Sequence, residues 1–265
     1  MKIGIIAGSG KLPVILAKEI IDTGKKVFII GISKNVDASL KTLASDFYQF
    51  GIGQVNKIIG TFLDADVKEL AIIGKVAKDE LFNPLRFDTK ALRILSKLKN
   101  KSDSSIFSAI ADEMEKSGIK LIDQRQYLNI LLPEKGILTK HKPSKSQLHD
   151  IEYGMEIAKK VSELGIGQTV VVKDQIILAV EAIEGTDEAI QRGANLCKGN
   201  AIIAKASKSD QDFRFDVPTI GPNTIDVLIK SKASAIAIEY GRAFLIDREI
   251  TLSKANEANI AVVVL

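Results

Sequence analysis

Short apolar runs alternate with amphipathic stretches through the first half of the chain. An apolar run at residues 3–7 precedes a glycine-rich turn, an amphipathic stretch over 13–23 and a second apolar run at 26–30. This order is typical of a strand–helix–strand unit, and such units build parallel sheets. Further strands are predicted at 47–50, 69–73 and 119–122, and helices at 54–63, 104–117 and, after a proline, within 81–98.

The pattern changes in the second half of the chain. Two β-rich runs, 168–173 and 176–180, are separated only by Asp174 and Gln175, which predicts an antiparallel hairpin. Further strands are predicted at 201–206, 235–238, 244–246 and 260–265, and helices at 145–164, 222–230 and 247–258.

These elements predict an α/β protein of two domains. We expect an N-terminal Rossmann-like parallel-sheet domain over residues 1–132 that binds a nucleotide, and a C-terminal mixed α/β domain over 147–265 that carries catalysis. Residues 133–146 are predicted as the linker because they combine two prolines and a glycine with four lysines. Such a basic segment is typical of solvated surface and is also compatible with an anionic lipid surface.

The composition restricts the classes of function. With 265 residues, of which 46% are hydrophobic, the chain can form a substantial core, and its net charge is only +4. No basic block interleaved with aromatic residues occurs, so we expect no nucleic-acid partner. The N-terminal apolar run is broken too early for a signal peptide, and no stretch approaches the roughly 18 apolar residues of a membrane span. We therefore predict a cytoplasmic protein, with peripheral contact with the inner membrane left open.

Metal and nucleophile chemistry is restricted in the same way. Cys197 is the single cysteine, and His141 and His149 are the only histidines. An intrachain disulfide and a zinc site of Cys/His spacing are excluded, and a Ser-His-Asp hydrolase would have to use one of the two histidines. The favoured metal is therefore one with oxygen ligands, magnesium or manganese.

A glycine-rich turn formed by Gly8, Ser9, Gly10 and Lys11 follows the first predicted strand. Its glycines allow backbone N–H groups to approach a phosphate at the start of the next helix. Pro13 occupies the third glycine position of the dinucleotide fingerprint, and the second strand lacks the usual ribose-binding acid. The pattern fits nucleotide or phosphate binding, and a plain tight turn is the alternative.

Two more glycine turns follow predicted strands, one at Gly51 and Gly53 and one at Gly74. Ligands of open α/β sheets bind beyond the carboxyl ends of the strands, so we expect the three turns to line one crevice. Lys75 would there meet a phosphate; a solvated lysine is the alternative.

Charged residues are concentrated in residues 211–222. Asp212, Arg214 and Asp216 alternate with apolar residues, which predicts a strand with the three charges on one face. Pro222 is well placed as the first residue of a helix. Carboxylates at a strand end beside the positive end of a helix suit a site for phosphate and a divalent cation. An exposed edge strand with a salt-bridged arginine is the alternative.

A compact acidic group is formed by Glu181, Glu184 and Asp187. These carboxylates suit a metal or sugar site. The alternative is capping, because Thr186 or Asp187 is placed to cap a helix that extends through Gly193.

Several segments, in order, resemble a known family. They are IGIIAGSGKLP, GILTKHKPS, GQTVVVKDQIILAVEAIEGTDEAI, QDFRFDVPTIGPNTI and AIAIEYGRAFLIDRE. Together they extend across nearly the whole chain, and the last three are long and unusual. The chain resembles the LpxI-type UDP-2,3-diacylglucosamine pyrophosphatase family; nothing is carried over onto residues 79–103.

The resemblance implies an enzyme of lipid A biosynthesis. Such an enzyme hydrolyses the pyrophosphate of UDP-2,3-diacylglucosamine to UMP and 2,3-diacylglucosamine 1-phosphate (lipid X), with attack at the sugar-side phosphorus. The implied cofactor is magnesium, for which manganese is the alternative. The resemblance also implies two domains with the lipid nucleotide between them, and a homodimer.

The resemblance places the essential, metal-linked aspartate at Asp216, with Asp212 as the second choice. Arg214 is a third catalytic candidate because a guanidinium pairs bidentately with phosphate. The predicted substrate-binding residues are Gly8, Ser9, Gly10, Lys11, Gly74, Lys75, Glu184, Gly185, Thr186, Gln211, Thr219, Gly221 and Pro222.

Two other classes of function stay open at this point. The turn at Gly8 and Gly10 also fits an NAD(P)- or nucleotide-sugar-binding oxidoreductase or epimerase, although its fingerprint is incomplete. A non-catalytic nucleotide-lipid binding module would share the same binding features and would lack hydrolysis.

Overall fold

The computed structural model describes residues 1–76, 87–98 and 103–265. Two compact units divide the chain: unit 1 comprises Met1–Asn129 and Asp212–Asp216, and unit 2 comprises Ile130–Gln211 and Val217–Leu265. The predicted helix within 81–98 begins, as far as it is described, at Thr89; residues 77–86 lie outside the described part of the chain.

Unit 1 is built on a five-stranded parallel sheet. Its strands are β1 Lys2–Ala7, β2 Lys26–Gly31, β3 Asp46–Gln49, β4 Glu69–Ile73 and β5 Lys120–Leu121, in the spatial order β3-β2-β1-β4-β5. Its described helices are α1 Leu12–Asp22, α2 Leu40–Leu43, α3 Val55–Asp64, α4 Thr89–Lys97 and α5 Asp103–Lys116. Short 3-10 turns follow β5 at Gln124–Gln126 and Asn129–Leu131.

The order of these strands places a topological switch point between β1 and β4. From β1 the chain continues to β2 on one side, and it later returns to add β4 on the other side. Both central strands are almost wholly buried, as expected for strands covered on two faces. The crevice at such a switch point, beyond the carboxyl ends of the strands, is where open α/β sheets bind ligands.

Unit 2 contains a six-stranded mixed sheet and a small second sheet. The strands of the large sheet are β6 Gly136–Ile137, β7 Thr169–Lys173, β8 Ile176–Val180, β9 Ile202–Lys205, β11 Ala235–Ile238 and β13 Ala261–Val264, in the order β6-β13-β11-β9-β7-β8. The small parallel sheet pairs β10 Thr219–Ile220 with β12 Phe244–Leu245. The helices are α6 Lys145–Glu163, α7 Thr186–Cys197, α8 Pro222–Lys230 and α9 Arg248–Glu257.

Helices cover both faces of the large sheet. Alternate strand residues point to opposite faces: Val171 and Ile203 pack with α7, α8 and α9, whereas Val172 and Ala204 pack with α6. The mixed α/β architecture predicted for this region is therefore confirmed.

The predicted hairpin forms as expected. β7 and β8 pair antiparallel, and both turn residues, Asp174 and Gln175, have positive φ angles of 51° and 57°. These angles are typical of the type I′ turn that joins two-residue hairpins. The carboxylate of Asp150 on α6 accepts hydrogen bonds from both turn N–H groups, at 3.0 and 2.7 Å.

The segment predicted as a linker, 133–146, includes β6. β6 pairs antiparallel with β13, so this part of the segment belongs to the sheet of unit 2. Among the described residues, no helix combines the length and apolar character needed to cross a bilayer.

Candidate active site

The structure brings two of the predicted glycine turns together at the switch point of unit 1. The Gly8 N–H donates to the Ile73 carbonyl at 2.8 Å. Ser9 and Lys75 form an isolated antiparallel bridge through two backbone hydrogen bonds of 2.8 and 2.9 Å. The Ser9 hydroxyl adds a third bond to the Lys75 carbonyl at 3.0 Å. The loops after β1 and β4 therefore form one connected rim of the crevice.

The close approach of these loops requires glycine. A Cβ atom on Gly8 would lie 2.6 Å from the Lys75 carbonyl oxygen, and one on Gly74 would lie 2.9 Å from the backbone of Gly8. Gly74 also has a φ of 100°, which L-residues rarely adopt. Lys11 is the N-cap of α1, whose second residue, Pro13, has no N–H group. The Val14 N–H donates to the Lys11 carbonyl at 3.0 Å, so what the start of α1 offers an anion is mainly the positive end of the helix dipole.

The third glycine turn has partners of its own. The Gly51 N–H donates to the Gln54 side chain at 2.9 Å, and the Gly53 carbonyl accepts from the Asp88 N–H at 2.9 Å. This turn follows β3, which is separated from β1 by β2 in the sheet.

The predicted strand over Asp212, Arg214 and Asp216 is wrong: these residues form a tight turn. The Asp212 side chain accepts a hydrogen bond from the Arg214 N–H at 3.0 Å, and the Asp212 carbonyl accepts from the Asp216 N–H at 3.2 Å. A short aspartate side chain competes with sheet hydrogen bonds in this way and favours a turn. The alternation of polar and aromatic residues has a different origin, because Phe213 and Phe215 pack into unit 1.

Arg214 is held by two carboxylates. Its guanidinium donates bidentately to Asp212, with bonds of 2.9 and 2.7 Å, and to Glu115 on α5 at 2.6 Å. The hydrogen bonds that Arg214 donates to Asp212 raise the pKa of Arg214 above its already high value, so the guanidinium stays charged. In this arrangement Asp212 and Arg214 shape the turn together.

Asp216 closes the turn and is exposed to solvent. The turn that carries it packs on unit 1 through Phe215, which stacks on Phe107 with a centroid distance of 5.8 Å. The side chain of Arg125 lies over the ring of Phe213 at 3.8 Å. Asp216 is thus an exposed carboxylate on a well-packed turn.

Sequence reasoning missed the residues that hold this turn. Asp123, Gln124 and Arg125 follow β5, and Gln124 binds the backbone of the turn. The Asp123 carboxylate also accepts from the Arg125 N–H and guanidinium, which repeats the Asp212–Arg214 arrangement. The available signal was their place directly after a strand, at the carboxyl edge of the sheet.

The donor atoms near this turn suit a magnesium ion. No group of three or more His, Cys, Asp or Glu side chains with metal-binding geometry occurs in the described ranges. Magnesium is commonly bound through one or two carboxylates together with substrate phosphates and water, so an exposed aspartate such as Asp216 is a suitable protein ligand. The carboxylate of Asp216 therefore fits this ion in its donor chemistry.

In unit 2, the predicted residues Glu184, Gly185 and Thr186 form the start of α7. Gly185 is the N-cap, with φ 89°, so capping by Thr186 or Asp187 is wrong. Glu184 accepts from Arg192 at 2.6 Å, and this bond lowers the pKa of its carboxyl group. The Thr186 hydroxyl donates to Glu181 at 2.9 Å.

Thr186 also belongs to a buried polar cluster. It accepts a hydrogen bond from the ammonium group of Lys205, at the end of β9, at 3.0 Å. Lys205 and Glu181 are both buried, and Thr186 lies between their charges. Lys205 was missed because it occupies the last position of an otherwise apolar strand.

The remaining predicted residues lie within β10 or before and after it. The helix predicted to begin at Pro222 does so. Gly221 precedes it, and a Cβ atom there would lie 2.5 Å from the Ile246 side chain. The Thr219 hydroxyl donates to the Val217 carbonyl at 3.0 Å, and the Gln211 N–H donates to the Lys208 carbonyl at 3.1 Å.

The segment that leads to Gln211 is held by a second buried acid. Glu239, directly after β11, accepts from the Ser207 N–H at 2.8 Å and the Ser207 hydroxyl at 3.1 Å. Arg242 donates to the same hydroxyl at 2.8 Å and to the Lys208 carbonyl. These bonds fix the chain where it leaves unit 2 for the turn.

Two solved structures show a distant likeness to this chain. The biotin carboxylase domain of the Hydrogenobacter thermophilus 2-oxoglutarate carboxylase is 13% identical, with a TM-score of 0.29, and the match covers 73% of this chain and 40% of that one. N5-carboxyaminoimidazole synthetase from Staphylococcus aureus is 16% identical, with a TM-score of 0.26, over 72% of this chain and 43% of that one. The chain spans less than half of either structure.

Family models match almost the whole length of the chain. The LpxI N-terminal domain matches residues 2–131, and the LpxI C-terminal domain matches residues 134–263. A relative from Caulobacter vibrioides, the UDP-2,3-diacylglucosamine pyrophosphatase LpxI, is 31% identical over 98% of this chain and 96% of its own. By both matches the chain belongs to the LpxI family.

Proposed function

We propose that this protein hydrolyses the pyrophosphate bond of UDP-2,3-diacylglucosamine, giving UMP and 2,3-diacylglucosamine 1-phosphate. The observation that carries this proposal is the full-length similarity to a relative with that activity in its name. The structure supports it with a nucleotide-binding type of sheet, a glycine-lined crevice and an exposed carboxylate, Asp216, on a rigid turn of the same unit.

The residues at the crevice suit a pyrophosphate diester, which carries two negative charges. The positive end of the α1 dipole attracts the phosphate oxygens, and the ammonium group of Lys75 adds positive charge beside it. Asp216 orients the attacking water or a bound cation. Asp212 and Arg214 keep Asp216 in place by shaping the turn.

We assign magnesium as the cofactor, with manganese as its substitute. When bound, the ion would neutralise phosphate oxygens and lower the pKa of a coordinated water. Asp216 is the protein ligand that this assignment uses. An ion held mainly by one carboxylate and the substrate binds weakly to the free protein, so chelators should remove it readily.

The direct test is incubation of the purified protein with UDP-2,3-diacylglucosamine and magnesium. We expect release of UMP and the lipid monophosphate, and loss of both products after exhaustive chelation, with recovery on adding magnesium or manganese. In water labelled with ¹⁸O, we expect the label in the lipid phosphate, as attack at the sugar-side phosphorus requires. Absence of UMP in every condition contradicts the proposed activity, whereas full activity after chelation contradicts only the metal.

Two further predictions concern partners. We propose that the protein is a homodimer, as the family resemblance implies. We also propose that it contacts the inner membrane peripherally, because its substrate carries two acyl chains that reside in a bilayer. Sedimentation velocity tests the first prediction. Flotation with anionic vesicles, with and without substrate, tests the second.

A further inference from the structure

The hydrogen-bond ladder between β4 and β5 ends in an unusual way. The N–H groups of Lys120 and Ile122 donate to carbonyls of the β4 side at Lys68 and Leu70, at 2.8 and 2.9 Å. Two residues further on, the regular ladder would use the N–H of Gln124 and the carbonyl of Ile72. That carbonyl instead accepts from the side-chain amide of Gln124 at 2.8 Å.

The backbone of Gln124 is thereby available for the turn. Its N–H donates to the Phe213 carbonyl at 3.0 Å, and its side-chain nitrogen lies 3.4 Å from the Arg214 carbonyl. One residue therefore completes the sheet ladder and binds two successive carbonyls of the turn. Gln124 is only 3% exposed, so each of these groups would be costly to leave without a partner.

These contacts set the position of Asp216. Asp216 follows Arg214 by two residues, and its own N–H is bonded within the turn. Ile72, whose carbonyl accepts the hydrogen bond from the Gln124 side chain, lies two residues before Gly74 in the rim of the crevice. The side-chain amide of Gln124 therefore links the backbone of β4 directly to the turn that carries Asp216.

We propose that Gln124 is a positioning residue for hydrolysis, one that holds the turn 212–216 at the carboxyl end of β4 so that Asp216 meets the bound pyrophosphate. This inference rests on the proposed function. A displacement of about 1 Å at a reacting group can cost on the order of 10²-fold in rate. Loss of the Gln124 amide therefore lowers kcat much more than it changes KM.

The test compares Gln124→Leu with Gln126→Leu. The two glutamines lie on the same 3-10 turn, but Gln126 is exposed, so its variant controls for the substitution itself. We expect kcat of Gln124→Leu to fall by roughly 10- to 100-fold with KM within about 3-fold of wild type. Gln126→Leu should match wild type. If the leucine variant does not fold, Gln124→Asn takes its place in the test. It keeps a buried amide with a shorter reach, and its kcat should also fall.

Hydrogen exchange gives a readout that is independent of activity. The peptide that contains 212–216 should exchange faster in Gln124→Leu, while the peptide of β1 should be unchanged. Wild-type kcat in a folded Gln124 variant, a rise in KM alone, or unchanged exchange at 212–216 each overturns the inference. If the wild-type protein itself releases no UMP, the proposed function fails, and the exchange experiment still decides whether Gln124 holds the turn.

Discussion

At the scale of single residues, the aspartates of the turn have distinct roles although they are only four positions apart. Asp212 is engaged twice, by the Arg214 backbone and by its guanidinium. Asp216 is exposed at the end of the turn. A carboxylate that must bind a cation and substrate has to be accessible, so we propose Asp216 as the catalytic carboxylate and Asp212 as its support.

We therefore expect Asp216→Asn to lower kcat by about 10²–10⁴-fold, because the amide loses the charge that orients water or a cation. The free energy of unfolding should change by less than about 0.5 kcal/mol, as is usual at an exposed position. UMP release and denaturant unfolding measure the two effects. Asp210→Asn is the matched control, since its side chain is 77% exposed and lies two residues before Asp212. Near-native turnover of Asp216→Asn would remove Asp216 from the mechanism.

The spacing of the charged residues was enough to identify this site, but it did not predict their backbone geometry. Alternation predicted a strand, whereas the Asp212 side chain stabilises a turn. The partners of the turn, Glu115 and Gln124, lie about 90–100 positions away in sequence, as their hydrogen bonds to Arg214 show. Only the folded chain brings such distant residues together.

At the scale of elements, periodicity and turn residues were enough to predict those helices, strands and turns whose formation depends on the local sequence. β4 and β11 have the predicted bounds, α8 begins at its proline, and the two-residue hairpin has the predicted pairing. The anchor of that hairpin was not predictable. Asp150 lies 24 residues before the turn, on a helix, and nothing in its local sequence indicates that it binds turn N–H groups.

Two substitutions at the hairpin should change the free energy of unfolding in opposite directions. Asp150 is 5% exposed, and Asp150→Ala leaves two turn N–H groups without their acceptor, so we expect a loss of about 2–3 kcal/mol in the free energy of unfolding. Gln175→Gly should stabilise by up to about 1 kcal/mol, because glycine adopts φ 57° without strain. Urea unfolding of both variants tests this. A neutral Asp150→Ala, or a destabilised Gln175→Gly, would contradict the assigned roles.

At the scale of the whole molecule, the two units are not continuous segments of the chain. Residues 212–216 lie between β9 and β10, both in unit 2, and yet they belong to unit 1. A sequence read in order assigns this stretch to its neighbours, and the predicted catalytic domain over 147–265 contains it for that reason. The aromatic residues are the physical cause, because Phe215 packs on the core of unit 1.

This interleaving predicts that two nearby substitutions loosen different units. Phe215→Ala removes the stack on Phe107 and part of the packing on the unit 1 core, whereas Ile220→Ala, five residues later, leaves a cavity in the core beneath α8. Each should cost about 2–4 kcal/mol of local stability. Hydrogen exchange should therefore accelerate in α5 and in the 3-10 turn at Gln124 for Phe215→Ala, and in β12 and α8 for Ile220→Ala. Faster exchange of the same peptides in both variants would mean that residues 212–216 do not belong to unit 1 in solution.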